Sequence, residues 1–371
     1  MIKNLIGKVR KSLQNMLGEA HLSGNSFRRL HVLAAMVSGV LLKGSSRLSD
    51  MARTNPDHKQ HASKEKQYKR WIVSEYTSYS VHYLPYVKAL LETLSAQSKL
   101  VFSIDGSTAG RGCMVLMFSV IYQNRAIPVV WTVVRAKKGH LPEAMHRALL
   151  GRLTEVVPPG CQVSIVGDGE YDGCDWQADI VSYGWDYVLR TGCAKLAGQA
   201  PEDMLALKWL APAFGQTTFI LTDAYVTHQG YGPVNIIVWH ENKYKEAIYL
   251  LSNLDYPPLI TQLYKKRFKI ETFFSDQKSR GFNLQRSHLS DPVRLAKLLI
   301  ATCLAYIFCI LAGIKCQQSS LHPMVHRKDR CDLSLFTLGK AFIELLVDWR
   351  EWYPFSLDLL TNHIIPKSVR Y

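Results

Sequence analysis

One stretch limits what this chain can fold into more than any other. Residues 298–314 read LLIATCLAYIFCILAGI, 17 residues without a charge. A run of that length sits at the lower edge of a bilayer span. It is equally the mark of a helix that is apolar all round and needs protein on every side. Thr302, Gly313 and two cysteines interrupt it, and it stands alone in a chain whose residues are 20% charged. The core-helix reading is therefore taken, with no membrane partner. It requires a large core, which 371 residues at 47% hydrophobic content can supply. The opening MIKNLIGKVRKSLQ is basic but lacks the continuous apolar segment of a signal peptide. The 8 cysteines include no C-x-x-C pair, so neither a zinc ribbon nor a disulfide framework is expected, and a reducing cytoplasm fits.

The net charge of +15 is unevenly spread. Residues 1–99 carry 16 Lys and Arg against 6 Asp and Glu, and residues 258–300 carry 9 against 3. The stretch between them is close to neutral. Two basic blocks flanking a neutral middle form an electrostatic footprint for phosphate, since Lys and Arg release counterions condensed on nucleic acid. A solvated basic face would have the same composition, so charge alone does not decide.

The periodicity divides the chain. Residues 27–42 have helical spacing and stop at Gly44-Ser45-Ser46. A short helix over 48–53 meets the turn Asn55-Pro56-Asp57, and the basic KEKQYKRWIV at 64–73 follows. Helix, turn and basic helix is the order of a helix-turn-helix DNA reader. From residue 99 the pattern becomes β-rich: KLVFSIDGS, then two long runs turning near Asn124-Arg125. A helix opens at Pro142-Glu143, the strand QVSIVGDGEYD follows over 162–172, then a second helix and WDYVLRT. The order β-β-β-α-β-α-β, with Asp105 and Asp168 closing the first and fourth strands, is a ribonuclease-H-like layout. Residues 192–255 show short strand-like runs between Gly/Pro turns. Residues 259–280 read as one helix.

A carboxylate ending a buried strand is costly without compensation, and several converging on one point repel one another. A divalent cation resolves both, and hard oxygen ligands suit Mg²⁺ or Mn²⁺. On the helix around residue 270, Tyr264, Arg267, Glu271 and Lys278 lie at intervals of 3, 4 and 7 and share one stripe. A phenol, a guanidinium, a carboxylate and an ammonium in a row suit a metal-bound phosphate. The Arg267–Glu271 spacing is also that of an ordinary surface ion pair.

The spacing Y-(2)-R-(3)-E-(6)-K matches the signature of the insertion sequence four family of bacterial DDE transposases, and over residues 20–315 the chain resembles that family. The run Tyr187-Val188-Leu189-Arg190 resembles the motif that follows the family's second Asp. The resemblance implies an α/β fold: a ribonuclease-H-like catalytic core interrupted by a mostly β insertion, with an N-terminal helical DNA-binding region and a helical C-terminal tail. The boundaries expected are 1–96 for the helical region, 97–191 for the first part of the core and 192–256 for the insertion. Residues 257–315 would complete the core with the Glu helix, and 316–371 would form the tail, with dimerisation as its candidate role. By resemblance Asp105, Asp168 and Glu271 are catalytic and bind two Mg²⁺ ions, with Mn²⁺ as the alternative metal. Tyr264, Arg267 and Lys278 would hold DNA phosphates. Trp239, with Trp209 second, is the candidate to receive a base flipped out during hairpin formation. The activity implied is cleavage, hairpin formation and strand transfer on double-stranded DNA, by a homodimer on paired terminal inverted repeats, in a bacterial cytoplasm at the nucleoid. Two rival readings use the same residues: a transposase-derived DNA-binding protein that no longer cuts, and a two-metal nuclease that cuts without joining.

Overall fold

A computed structural model describes residues 2–16, 24–136, 139, 141–210, 217–241, 246–327, 332–353 and 355–361. Six helices come first: α1 (Ile2–Met16), α2 (Gly24–Lys43), α3 (Leu48–Thr54), α4 (His61–Val73), α5 (Tyr79–His82) and α6 (Leu84–Ser95). Strands β1 (Leu100–Ala109), β2 (Cys113–Tyr122) and β3 (Arg125–Arg135) follow, then α7 (Glu143–Thr154), β4 (Val163–Gly167), α8 (Cys174–Ser182) and β5 (Asp186–Thr191). The next segment holds β6 (Leu196–Gly198), β7 (Leu205–Ala206), α9 (Leu207–Leu210), β8 (Thr217–Val226), β9 (Tyr231–Trp239) and β10 (Ile248–Ser252). Helices α10 (Pro257–Lys266), α11 (Phe268–Gln277), α12 (Pro292–Gln317), α13 (His322–Val325) and α14 (Leu335–Asp348) complete the order.

All described strands join one 10-stranded sheet, in the order β3-β2-β1-β4-β5-β10-β9-β8-β6-β7. β1, β4 and β5 run parallel, and the β1-β2-β3 meander is antiparallel. Parallel strands are covered on both faces, and all of β4 is buried. The segment expected as an insertion adds its strands to this same sheet, because β10 pairs antiparallel with β5. The register of β3 slips opposite Phe118 and Ser119, beside Pro128, which has no N–H to give the ladder. The carbonyls of Pro128 and Val129 accept hydrogen bonds from the Tyr83 and Tyr79 hydroxyls at 2.8 and 2.9 Å, so the irregular edge is satisfied by the end of the N-terminal helices.

The apolar run of residues 298–314 lies within α12, and 89% of its most apolar 18-residue window is buried inside the protein. The helix starts at Asp291, whose carboxylate accepts from Arg294 N at 2.8 Å, with Pro292 in the first turn. It packs against β3, α2, α4 and α14. Against α14 the two backbones touch: a Cβ on Gly339 would stand 1.7 Å from the Cys309 carbonyl oxygen. The single helix expected over 259–280 is two helices meeting at Arg267. There the ladder tightens to three-residue steps, Arg267 N to Tyr264 O and Ile270 N to Arg267 O, while Arg267 keeps helical angles.

Candidate active site

Asp105 occupies the sixth position of β1, and Asp168 follows directly on β4. The parallel register sets Ser103 beside Val166, so the two acids leave neighbouring strands at the same level. Alternation of side chains puts residues 101, 103 and 105 on one face of β1. That face is covered by α10 and α11: Val101, Val166 and Val188 pack with Ile260, Leu263 and Tyr264, and Ser103 Oγ donates to the Arg267 carbonyl at 3.3 Å. The helix break at Arg267 is thereby seated against the strands that carry the acids.

Arg267 is the centre of the site. Its side chain is 3% exposed; Nη2 stands 2.8 Å from Glu271 Oε1, and Nη1 3.5 Å from Asp168 Oδ2. Burial lowers the guanidinium's pKa, but Tyr264, Asp168, Glu271 and Asp105 raise it by more, so the group is a fixed cation. Asp105 Oδ1 accepts from Gly106 N at 2.7 Å, and Asp168 Oδ1 from Gly169 N at 2.6 Å. Burial lifts the Asp105 carboxyl to about 7. The Gly106 amide and Arg267 pull it down, and Glu271 and Asp168 push it further up. A carboxylate held this far from its ordinary range lacks positive charge.

The donor set therefore fits a hard divalent cation: three carboxylates, one of them desolvated and under-neutralised. Their present arrangement is not a closed metal cage, and among the described residues no three His, Cys, Asp or Glu side chains are grouped to hold an ion. The Arg267 guanidinium takes the counter-charge role between Asp168 and Glu271. Arg267 Nε is buried with no hydrogen-bond partner among the described residues, Nη1 has the Asp168 carboxylate at 3.5 Å, and the buried Tyr264 ring lies against the guanidinium. Burial raises the Tyr264 pKa, so its hydroxyl remains a donor. A buried guanidinium with donor capacity to spare beside this acidic cluster suits an acceptor-rich phosphate.

Lys278 does not sit on the helical stripe. It caps α11 with φ −92° and ψ −127°, and its Nζ donates to Ser107 Oγ at 2.6 Å, near Thr108 Oγ1 at 3.4 Å. The ammonium still reaches the end of β1 two residues beyond Asp105. The hydroxyls of Ser107 and Thr108 were not anticipated; only their place after a strand-end acid could have pointed to them.

Trp239 is placed against the expectation of a base-receiving surface. It is 1% exposed, donates Nε1–H to Glu241 Oε1 at 2.8 Å, lies edge-on to Tyr264 at 6.1 Å and has Lys265 Nζ 4.9 Å from its ring. Helix α10 covers that end of β9, so no face of the indole is open to a base. Trp209 on α9 is 73% exposed, with Lys208 Nζ 5.0 Å from its ring.

A second charged surface lies on the N-terminal helices. Between α2 and α4 is a cleft of about 370 Å³ lined in part by Arg28, Arg29 and Arg70. Its floor is held by Trp71, whose Nε1–H donates to the Arg29 carbonyl at 3.1 Å.

Residues 75–308 match the family model described as Transposase DDE domain. Among curated proteins none matches the sequence. Among solved structures the chain is similar to the piggyBac transposase in its cryo-EM synaptic complex with hairpin DNA, at a TM-score of 0.46 and 10% identity. That match covers 98% of this chain and 83% of the other.

Proposed function

The chain belongs to the transposase DDE domain family, and from that premise we propose that it is a cut-and-paste DNA transposase with Asp105, Asp168 and Glu271 as its catalytic acids. The observation that carries this reading is the gathering of three carboxylates, from β1, from the end of β4 and from α11, around the buried guanidinium of Arg267. The strand order β3-β2-β1-β4-β5, in which β2 alone runs antiparallel to the other four, supports a ribonuclease-H-like core. Membership of the insertion sequence four group rests on the spacing of Tyr264, Arg267, Glu271 and Lys278.

The family uses divalent metal ions, and Asp105, Asp168 and Glu271 would hold them here, two Mg²⁺ or Mn²⁺ per site. Bound ions supply an activated oxygen nucleophile and charge neutralisation at the leaving oxygen. The chain's own residues do the rest. The amides of Gly106 and Gly169 orient Asp105 and Asp168. Arg267 Nε and Nη1 and the Tyr264 hydroxyl donate to non-bridging oxygens of the scissile phosphate, and Lys278 holds a neighbouring phosphate from the Ser107 side. Arg28, Arg29 and Arg70 bind backbone phosphates of the terminal inverted repeat. The exposed Trp209, rather than the buried Trp239, offers the stacking surface that hairpin formation needs. The protein would act as a homodimer on paired ends.

Isosteric variants test the reading. Asp168→Asn and Glu271→Gln should lose cleavage of the element's own ends while their gel-shift affinity for those ends stays within about threefold. Loss of end binding in both would make these acids structural. Trp209→Ala should slow hairpin formation more than first-strand cleavage; equal slowing of both steps would remove Trp209 from that role.

A further inference from the structure

Five residues beyond Glu271, about 140° around α11, the Asp276 carboxylate turns into the core. Its Oδ2 meets Arg125 Nη1 of β3 at 3.0 Å, with the two side chains 8% and 10% exposed. Arg280 beyond α11, and Tyr306 and Cys309 of α12, stand near the carboxylate, and Lys269 of α11 near Arg125. Burial outweighs the pull of Arg125 and Arg280, lifting the carboxyl to about 6. A buried pair of this kind is often matched in stability by apolar side chains of similar size, so stability does not account for it.

Position does. The Asp276 carbonyl accepts Phe282 N at 2.9 Å, and the Phe282 carbonyl accepts both N and Oγ of Ser46 at 2.7 Å. Asn283 N donates to the Lys278 carbonyl at 2.7 Å, and Asn283 Nδ2 to the Gly44 carbonyl at 3.0 Å. The loop that starts at Lys278 thus hangs from Asp276 and is tied to the α2–α3 linker. The other end of the helix that carries Glu271 is tied to the strands where Ser103 Oγ donates to the Arg267 carbonyl and where Arg267 Nη1 meets Asp168 Oδ2 at 3.5 Å.

We propose that Arg125 and Asp276 are positioning residues: their ion pair fixes the C-terminal half of α11 against β3 and so sets where Glu271 and Lys278 stand. The inference rests on the roles proposed above for those two residues. The test is the double variant Arg125→Met with Asp276→Leu in the full chain, beside Glu271→Gln. The expected result is an unchanged or higher thermal midpoint and Mn²⁺ affinity about tenfold weaker by electron paramagnetic resonance without DNA. On the element's ends, kcat should fall about tenfold at constant KM. Parental Mn²⁺ affinity and kcat in the folded double variant would overturn the proposal. Should that variant not fold, Arg125→Lys, which keeps the charge but not the planar fork, decides by the same two readouts. A parent chain that binds Mn²⁺ through Glu271 yet never cuts DNA counts against the transposase reading, while the Mn²⁺ comparison still judges the pair. A parent that binds no Mn²⁺ through Glu271 overturns both.

Discussion

At the scale of single residues, burial and charge oppose each other most plainly at Asp105. Its carboxyl is lifted to about 7 by burial, so near neutral pH the folded state carries a charge that it solvates poorly. Asp105→Asn removes that cost and should raise the thermal midpoint of the metal-free protein by a few degrees, on the order of 1–2 kcal/mol, while eliminating cleavage. A lower midpoint in differential scanning calorimetry would mean that the carboxylate is better compensated than its surroundings indicate. Asp105 and Asp168 were legible in the sequence because each ends an apolar run and precedes glycine, and the Arg267–Glu271 pair because 3, 4 and 7 is helical spacing. The break at Arg267 was not legible: its angles stay helical, so the periodicity runs straight through it. For Trp239 the sequence supports a core tryptophan as readily as a base receiver. Residues 236–239 are four consecutive apolar residues, all buried, which is the pattern of a strand covered on both faces rather than one presenting an aromatic to solvent.

Among elements, α12 is where length, composition and packing agree. Its contact with α14 runs through Gly339, where a methyl group would meet the Cys309 carbonyl at 1.7 Å. Gly339→Ala should therefore destabilise the protein by about 2 kcal/mol or more, measurable by urea denaturation; a neutral effect would mean that the helices separate at little cost. The junction of the N-terminal helices is pH-sensitive. His82, on α5 and edge-on to Trp71 of α4 at 5.3 Å, has its pKa pulled down to about 4 by burial, with Arg29 and Lys297 adding to the shift. The unfolded chain takes up this proton below about pH 6.5, whereas the folded chain resists it until about pH 4. The stability from this residue is thus complete above pH 6.5 and lost as pH falls towards 4, about 3 kcal/mol in all. His82→Gln should flatten that part of the stability–pH curve; an unchanged curve would assign the acid sensitivity elsewhere. The hairpin of β2 and β3 could be read from its two apolar runs. The joining of β10 to β5 could not, because the pairing of distant strands depends on which edges are left free, and local pattern does not encode that.

At the scale of the whole molecule, the two basic blocks separated in sequence meet in space. Helix α12, from the second block, packs on α2 and α4 of the first, and Lys297 Nζ donates to the Ser74 carbonyl at 2.5 Å, beside the cleft lined by Arg28, Arg29 and Arg70. If this flank follows the DNA backbone, end binding should weaken steeply with salt, and Arg70→Ala should reduce the logarithmic salt slope by about 1 on specific and random DNA alike. A change confined to one DNA sequence would make Arg70 a base reader instead. The acids and the basic flank are brought into one structure by α11 and α12, which carry Glu271 at one end and α2 and α4 on the other side. The most direct test of the account is the incubation of the protein with DNA carrying the element's own ends, in Mg²⁺ and in EDTA, beside Glu271→Gln. The account predicts hairpin-ended products in Mg²⁺ alone, absent from the variant. Tight, end-specific binding with no cleavage in Mg²⁺ or Mn²⁺ would contradict it and leave a DNA-binding protein in its place.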